Sequence, residues 1–204
     1  MRTRPSVTAV VTVALLAVSG CTAGVADRTP TPPETTASAS PPPSPSPSPT
    51  TESERAAANA EALVDEYYRV TDAVAEDPTD LEPLKTVATS AELIRLQNTF
   101  RPWSEEGWHK TGTIQVIDRT IQSVSLDNSD PDSGVVPTVQ IDVCYDVADV
   151  DVVDASGDSQ VDANRPDRAW ERLWVSNSDY GDDPESGWLV ADRKTLEREP
   201  CAAR

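Results

Sequence analysis

The segment AELIRLQNTFRPWSEEGWHKTGTIQVIDRTIQSVSL, residues 91–126, changes period near its centre. Leu93, Leu96 and Phe100 recur at three- and four-residue steps, the spacing that lines up one face of a helix. Beyond Gly107 the pattern becomes alternating: Ile114, Val116, Ile121 and Val124 sit among polar neighbours, as in a strand with one buried face. The residues upstream of this switch therefore read as helical and those downstream as strands.

Working upstream, Thr51 and Glu54 fit a capping box. Ala56, Ala60, Leu63, Tyr67, Val70 and Val74 then form one apolar face of a long first helix, which Asp77-Pro78 stops. A shorter helix is expected around Leu81 to Ala88, and a third from Ser90 to the neighbourhood of Pro102. Downstream, strands are expected at 111–127, at 135–147 through Val139, Ile141 and Val143, and at 150–155, 168–177 and 187–193. Acidic turns join them, notably Asp127 to Gly134, Ala155 to Asp158 and Asp179 to Pro184. Helices followed by consecutive antiparallel strands predict an α+β fold, with N-terminal helices packed on a curved antiparallel sheet.

The N-terminus reads differently. Arg2 and Arg4 precede a twelve-residue apolar run, Val7 to Val18. A bilayer needs about 20 apolar residues, so the run suits a secretory signal peptide better than a membrane span. It ends in Val18-Ser19-Gly20-Cys21, which resembles the lipobox of bacterial lipoproteins. That resemblance implies cleavage before Cys21, lipidation of its thiol and residence on the outer side of the cell membrane. An ordinary signal peptide with a chance cysteine would instead leave a soluble secreted protein.

Residues 1–20 are therefore set apart as signal peptide, and residues 21–51 as the lipidated cysteine and a tether. Pro30, Pro32, Pro33 and the run Pro41 to Pro49 lie among Thr, Ser and Ala, a composition with nothing to build a core from. Some thirty residues in extended polyproline geometry would reach roughly 90 Å. Residues 52–204 remain for one domain.

Without Arg2 and Arg4 the chain has 15 basic against 35 acidic residues, a formal charge of −20. Such a surface repels phosphate backbones and argues against nucleic acid as a partner. Solubility alone accounts for much of it. With Cys21 lipidated, Cys144 and Cys201 are left as the two halves of one disulfide in an oxidising compartment. No CxxC spacing exists, and two cysteines with the single His109 do not provide zinc-like spacing, so no metal or other cofactor is expected. Asp146, Asp149, Asp151, Asp154 and Asp158 crowd together, but their spacing does not match a calcium loop, because Val152 falls where the first Asp should be.

The strand ending Val143-Cys144-Tyr145-Asp146-Val147, the turn Arg165-Pro166-Asp167-Arg168, the strand Gly187-Trp188-Leu189-Val190 and Pro200-Cys201 together resemble NTF2-like (cystatin-like cone) lipoproteins of actinobacteria. The resemblance covers roughly residues 52 to 201. It implies a sheet wrapped round the first helix to leave a conical pocket, in a family that spans ketosteroid isomerases, polyketide cyclases and binding modules. A catalytic reading would set Asp142 or Asp146 as base and Tyr67 or Tyr68 as hydrogen-bond donor. The family's acid and donor cannot be matched at any fixed spacing, and alternation puts Asp142 and Asp146 on the face opposite Val143.

The expectation is therefore a non-enzymatic envelope module that binds a protein or a small apolar ligand. Tyr67, Trp103, Trp108, Asp142, Trp170 and Trp174 are the candidate pocket or ligand contacts. Trp170 and Trp174 share one face of their strand, where core packing is the commoner duty.

Overall fold

The computed structural model describes residues 51–202; the expected signal peptide, Cys21 and all but the last residue of the tether lie outside the described residues. The first helix, α1 (Glu52–Glu76), starts at the expected capping box. The Thr51 hydroxyl accepts from the Glu54 N–H at 3.1 Å, and the Glu54 carboxylate accepts from the Thr51 N–H at 2.8 Å. Its buried face runs through Ala56, Ala60, Val64, Tyr67, Val70 and Val74. The segment expected as a second helix is a single 3-10 turn, Glu82–Thr86. Leu84 at its centre is fully buried, and the residues just beyond it pair with a strand: the Val190 N–H donates to Val87 O and the Thr89 N–H donates to Val190 O, both at 2.9 Å.

The next helix, α2 (Ser90–Glu106), does not stop at Pro102. Proline inside a helix removes one backbone hydrogen bond, at a cost of about 3 kcal/mol. Here the turn that follows carries Trp103, packed edge-on against Phe100 with ring centroids 5.3 Å apart, and the helix ends instead at Gly107 in a left-handed cap with φ +72°.

The strand expected over 111–127 is two strands, β1 (His109–Thr111) and β2 (Gln115–Ser125). The break falls at Gly112, where φ is +74° and an added Cβ would lie 1.9 Å from Asp149 O. After it the Ile114 N–H donates to Asp72 Oδ2 at 3.0 Å rather than to a neighbouring strand. Then come β3 (Thr138–Asp146), β4 (Asp151–Val153), β5 (Arg168–Asn177) and β6 (Trp188–Leu196). The main sheet is antiparallel throughout in the order β2-β3-β5-β6, while β1 and β4 form a separate two-stranded ribbon. Register shifts interrupt β2–β3 pairing at two places and β5–β6 pairing beside Trp174, and such bulges bend a sheet.

Both helices pack on one face of this curved sheet. Val139, Ile141 and Val143 of β3, Leu173 and Val175 of β5, and Val190 of β6 meet the buried face of α1 together with Leu96 and Phe100. The α+β fold expected from the change of period is thus the fold observed. The β5–β6 loop folds back onto the start of α1, where the Tyr180 hydroxyl donates to Glu52 at 2.8 Å. Gly187 is required there, since a Cβ would come within 2.5 Å of the buried Asn177 side chain. On the opposite face of the sheet the chain end is stapled down: Cys144 of β3 is disulfide-bonded to Cys201.

Candidate functional site

Alternation along a strand sends successive side chains to opposite faces, and the register of β3 with β5 sorts the candidates accordingly. Asp142 faces Arg172, Cys144 faces Trp170, and Gln140 faces Trp174, all on the face turned away from the helices. Asp142 is only 1% exposed because the C-terminal segment covers it. It accepts from Arg172 Nε at 2.6 Å and from Arg198 at 3.5 Å, and the Arg198 guanidinium also stacks 3.5 Å above the Trp170 ring. Asp142, Trp170 and Trp174 therefore do not line a pocket between helices and sheet. The two-residue period that buries Val143 and Leu173 forces them to the other side.

Asp146 lies at the end of β3, bound to Arg168 Nε at 2.6 Å and to the Ala148 N–H at 2.8 Å. Those contacts, the backbone one first, hold its carboxyl below the usual value. Trp108 follows the cap of α2 and His109 opens β1, paired with Val153; neither is among the residues lining the cleft between α1, α2 and the β1–β4 ribbon or the cavity adjoining it. Asp154 accepts from the N–H groups of Ser156 and Asp158, so that carboxylate closes its own turn.

Tyr67 and Trp103 line a cleft of about 240 Å³ between α1, α2 and the β1–β4 ribbon, walled by Ala75, Leu96, Phe100, Ile114, Val150 and Val152. A second cavity, about 420 Å³, adjoins it beneath Tyr145 and Pro166. The two share Tyr68, Ile114, Val147, Arg165 and Arg193, and so form two lobes on either side of those residues.

The polar floor of the cleft is a buried network that sequence reasoning missed. The Tyr67 hydroxyl donates to Glu92 Oε1 at 2.6 Å, and the Tyr68 hydroxyl donates to Glu171 Oε1 at 2.5 Å. Arg193 of β6 bridges the two carboxylates, 3.1 Å from Glu92 and 3.2 Å from Glu171, and Arg95 makes a further ion pair with Glu92. Glu92 is 0% and Glu171 1% exposed, so each charge is tolerable only because it is paired and hydrogen-bonded. Burial, reinforced by Glu171, pushes the Tyr68 hydroxyl well above its ordinary value, and burial does the same for Tyr67. Burial opposes the Arg193 charge, but Tyr67, Glu171 and Glu92 carry its guanidinium above the usual value.

A second buried pair, Lys110 with Asp72 at 3.3 Å, sits on the cleft wall. Burial raises the Asp72 carboxyl, and the Ile114 N–H and Lys110 offset part of that rise. Lys110 also donates to Gly112 O.

A signal for this network does exist in the sequence. Glu92 lies four residues before Leu96 and eight before Phe100, on the buried face of α2, while Glu171 alternates with Leu173 and Val175. A carboxylate in a buried register must find partners, but which ones depends on a packing that periodicity does not reveal.

Known proteins add little. No protein-family profile matches the chain, and no curated protein matches it. Among solved structures, the intermembrane space region of the chloroplast protein ARC6 is similar with a TM-score of 0.47 and 14% identity, over 72% of this chain and 98% of that one. A de novo beta sheet design protein is similar with a TM-score of 0.28 and 12% identity, over 73% and 91%.

Proposed function

We propose that this protein is a non-enzymatic binding module of the cell envelope, held on the outer side of the membrane by lipid on Cys21, whose two-lobed cleft takes up a small, mainly apolar ligand. The observation that carries the reading is the cleft itself. Its walls are apolar side chains from both helices and the β1–β4 ribbon, and each carboxylate on them is neutralised by a cation, Asp72 by Lys110 and Glu171 by Arg193. Proton abstraction needs a base whose lone pair faces the substrate. An apolar cleft with paired charges instead suits capture of a ligand by desolvation.

The location is supported by the Val18-Ser19-Gly20-Cys21 motif and by the Cys144–Cys201 disulfide, a bond that persists in oxidising compartments. Among the described residues no helix is long and apolar enough to cross a membrane. An isomerase- or cyclase-type enzyme is the competing reading, and Glu171 beside Tyr68 is the arrangement it would use.

The deciding experiment titrates the mature chain, made with Cys21→Ser, with an uncharged naphthylamine dye. Saturable fluorescence enhancement is expected, abolished by Val152→Trp, which fills the cleft. Absence of saturable binding sinks the proposal. So does turnover of a small carbonyl substrate that disappears in Glu171→Gln.

A further inference from the structure

Five charged side chains line the two lobes: Asp72, Lys110, Arg165, Glu171 and Arg193. Lys110 pairs with Asp72 and Glu76, Arg193 with Glu171 and Glu92, and Arg95 with Glu92 and Asp192. Arg165 stands apart from these pairs. It lines both lobes, and it makes no ion pair among the described residues although the chain carries a net charge of −18. Its Nη2 donates to Val147 O at 2.8 Å and to Val150 O at 2.7 Å, which fixes the guanidinium against the β3–β4 loop. Nε and Nη1 have no protein acceptor among the described residues.

A half-buried guanidinium pinned through one nitrogen keeps Nε and Nη1 available to donate to a ligand. Arg101 and Lys194 also lack ion pairs among the described residues, but both are exposed and line neither lobe; Arg165 is the unpaired cation at the apolar cleft, and that is charge complementarity toward an anionic ligand.

We propose that the cleft binds an anionic amphiphile, a molecule with one carboxylate head and a short hydrocarbon body. Arg165 takes the head at the junction of the lobes, and the lobe walled by Leu96, Phe100 and Val150 takes the hydrocarbon. This rests on the cleft being a ligand site and goes further by fixing the ligand's charge and the residue that reads it. Arginine suits the task because its planar fork matches a carboxylate, and charge-assisted hydrogen bonds are about twice as strong as neutral ones.

The test displaces the naphthylamine dye from the mature Cys21→Ser protein at neutral pH with octanoate, octanol and octylamine, which share one hydrocarbon length and differ in head group. Octanoate is expected to bind at least about tenfold more tightly than octanol, with octylamine weakest, as a hydrogen-bonded charge pair predicts. Arg165→Gln should abolish the preference for octanoate over octanol, and Arg165→Lys should retain part of it. Equal affinities for octanoate and octanol in the unmodified cleft overturn the inference while leaving the binding module intact. That comparison does not depend on any Arg165 variant folding. If the dye itself does not bind, the cleft reading fails and the inference falls with it.

Discussion

At the scale of single residues, two glycines with the same backbone sign make a sharp contrast. Gly112 (φ +74°) has Asp149 O where its Cβ would be, whereas Gly134 (φ +86°) has nothing within 4 Å. Gly134→Ala should cost only the left-handed conformation, about 1 kcal/mol. Gly112→Ala adds a clash with backbone that cannot move aside and should cost more than about 2 kcal/mol. Urea denaturation of the two variants checks the ranking. Asp146 offers a pH test with a definite sign. Its folded-state value is lowered from 3.8, so its contribution is fully present above that value and is lost as pH falls through the lower folded value. The melting-temperature gap between the natural protein and Asp146→Asn should therefore be widest above about pH 4 and close on further acidification. A gap that widens in acid would contradict the assignment.

At the scale of elements, periodicity was readable wherever one face of an element is buried and the other is not. The α1 capping box, its apolar face, and the central strand through Val139, Ile141 and Val143 all lie where their patterns put them. Failures occurred where tertiary contact overrode local signals. Pro102 sits within α2 because Phe100 and Trp103, which flank it in sequence, pack against each other, and β1 separates from β2 because Gly112 must pass under the Asp149 carbonyl. The site was less legible than the fold. Tyr67 could be named from the apolar face of its helix and Trp103 only as an aromatic side chain able to stack on a ligand, but Arg165 is in a turn with no period, and the Glu92–Arg193–Glu171 bridge joins α2, β6 and β5 across the core. The disulfide belongs to this scale too. On the chain-entropy account, closing a loop over a separation of 57 residues contributes about 4 kcal/mol. Reduction should lower the urea midpoint accordingly and uncover Trp170, which a red shift in tryptophan emission would report.

At the scale of the whole molecule, the proposed membrane attachment and the proposed ligand capture rest on different parts of the chain and should be separable. Cys21→Ser is expected to move the protein from the detergent-soluble membrane fraction to the medium while leaving dye binding unchanged. Retention in the membrane fraction would remove lipid as the anchor. The charge of −18 acts at this scale as well: it raises a long-range barrier to anions that salt screens. Octanoate should thus associate faster as ionic strength rises, the reverse of what a basic protein would show, and stopped-flow displacement measures it.

The Cys144–Cys201 bond encloses β4, β5 and β6 within one covalent ring. During biosynthesis the first sulfhydryl is made 57 residues before its mate. At ribosomal rates of about 5–20 residues per second, it stays unmatched for roughly 3–11 seconds. Oxidation must therefore wait until all four strands of the main sheet, with β5 and β6 the last, have been synthesised. The ring closes on a nearly finished sheet, and its formation marks completion of the fold rather than guiding its start.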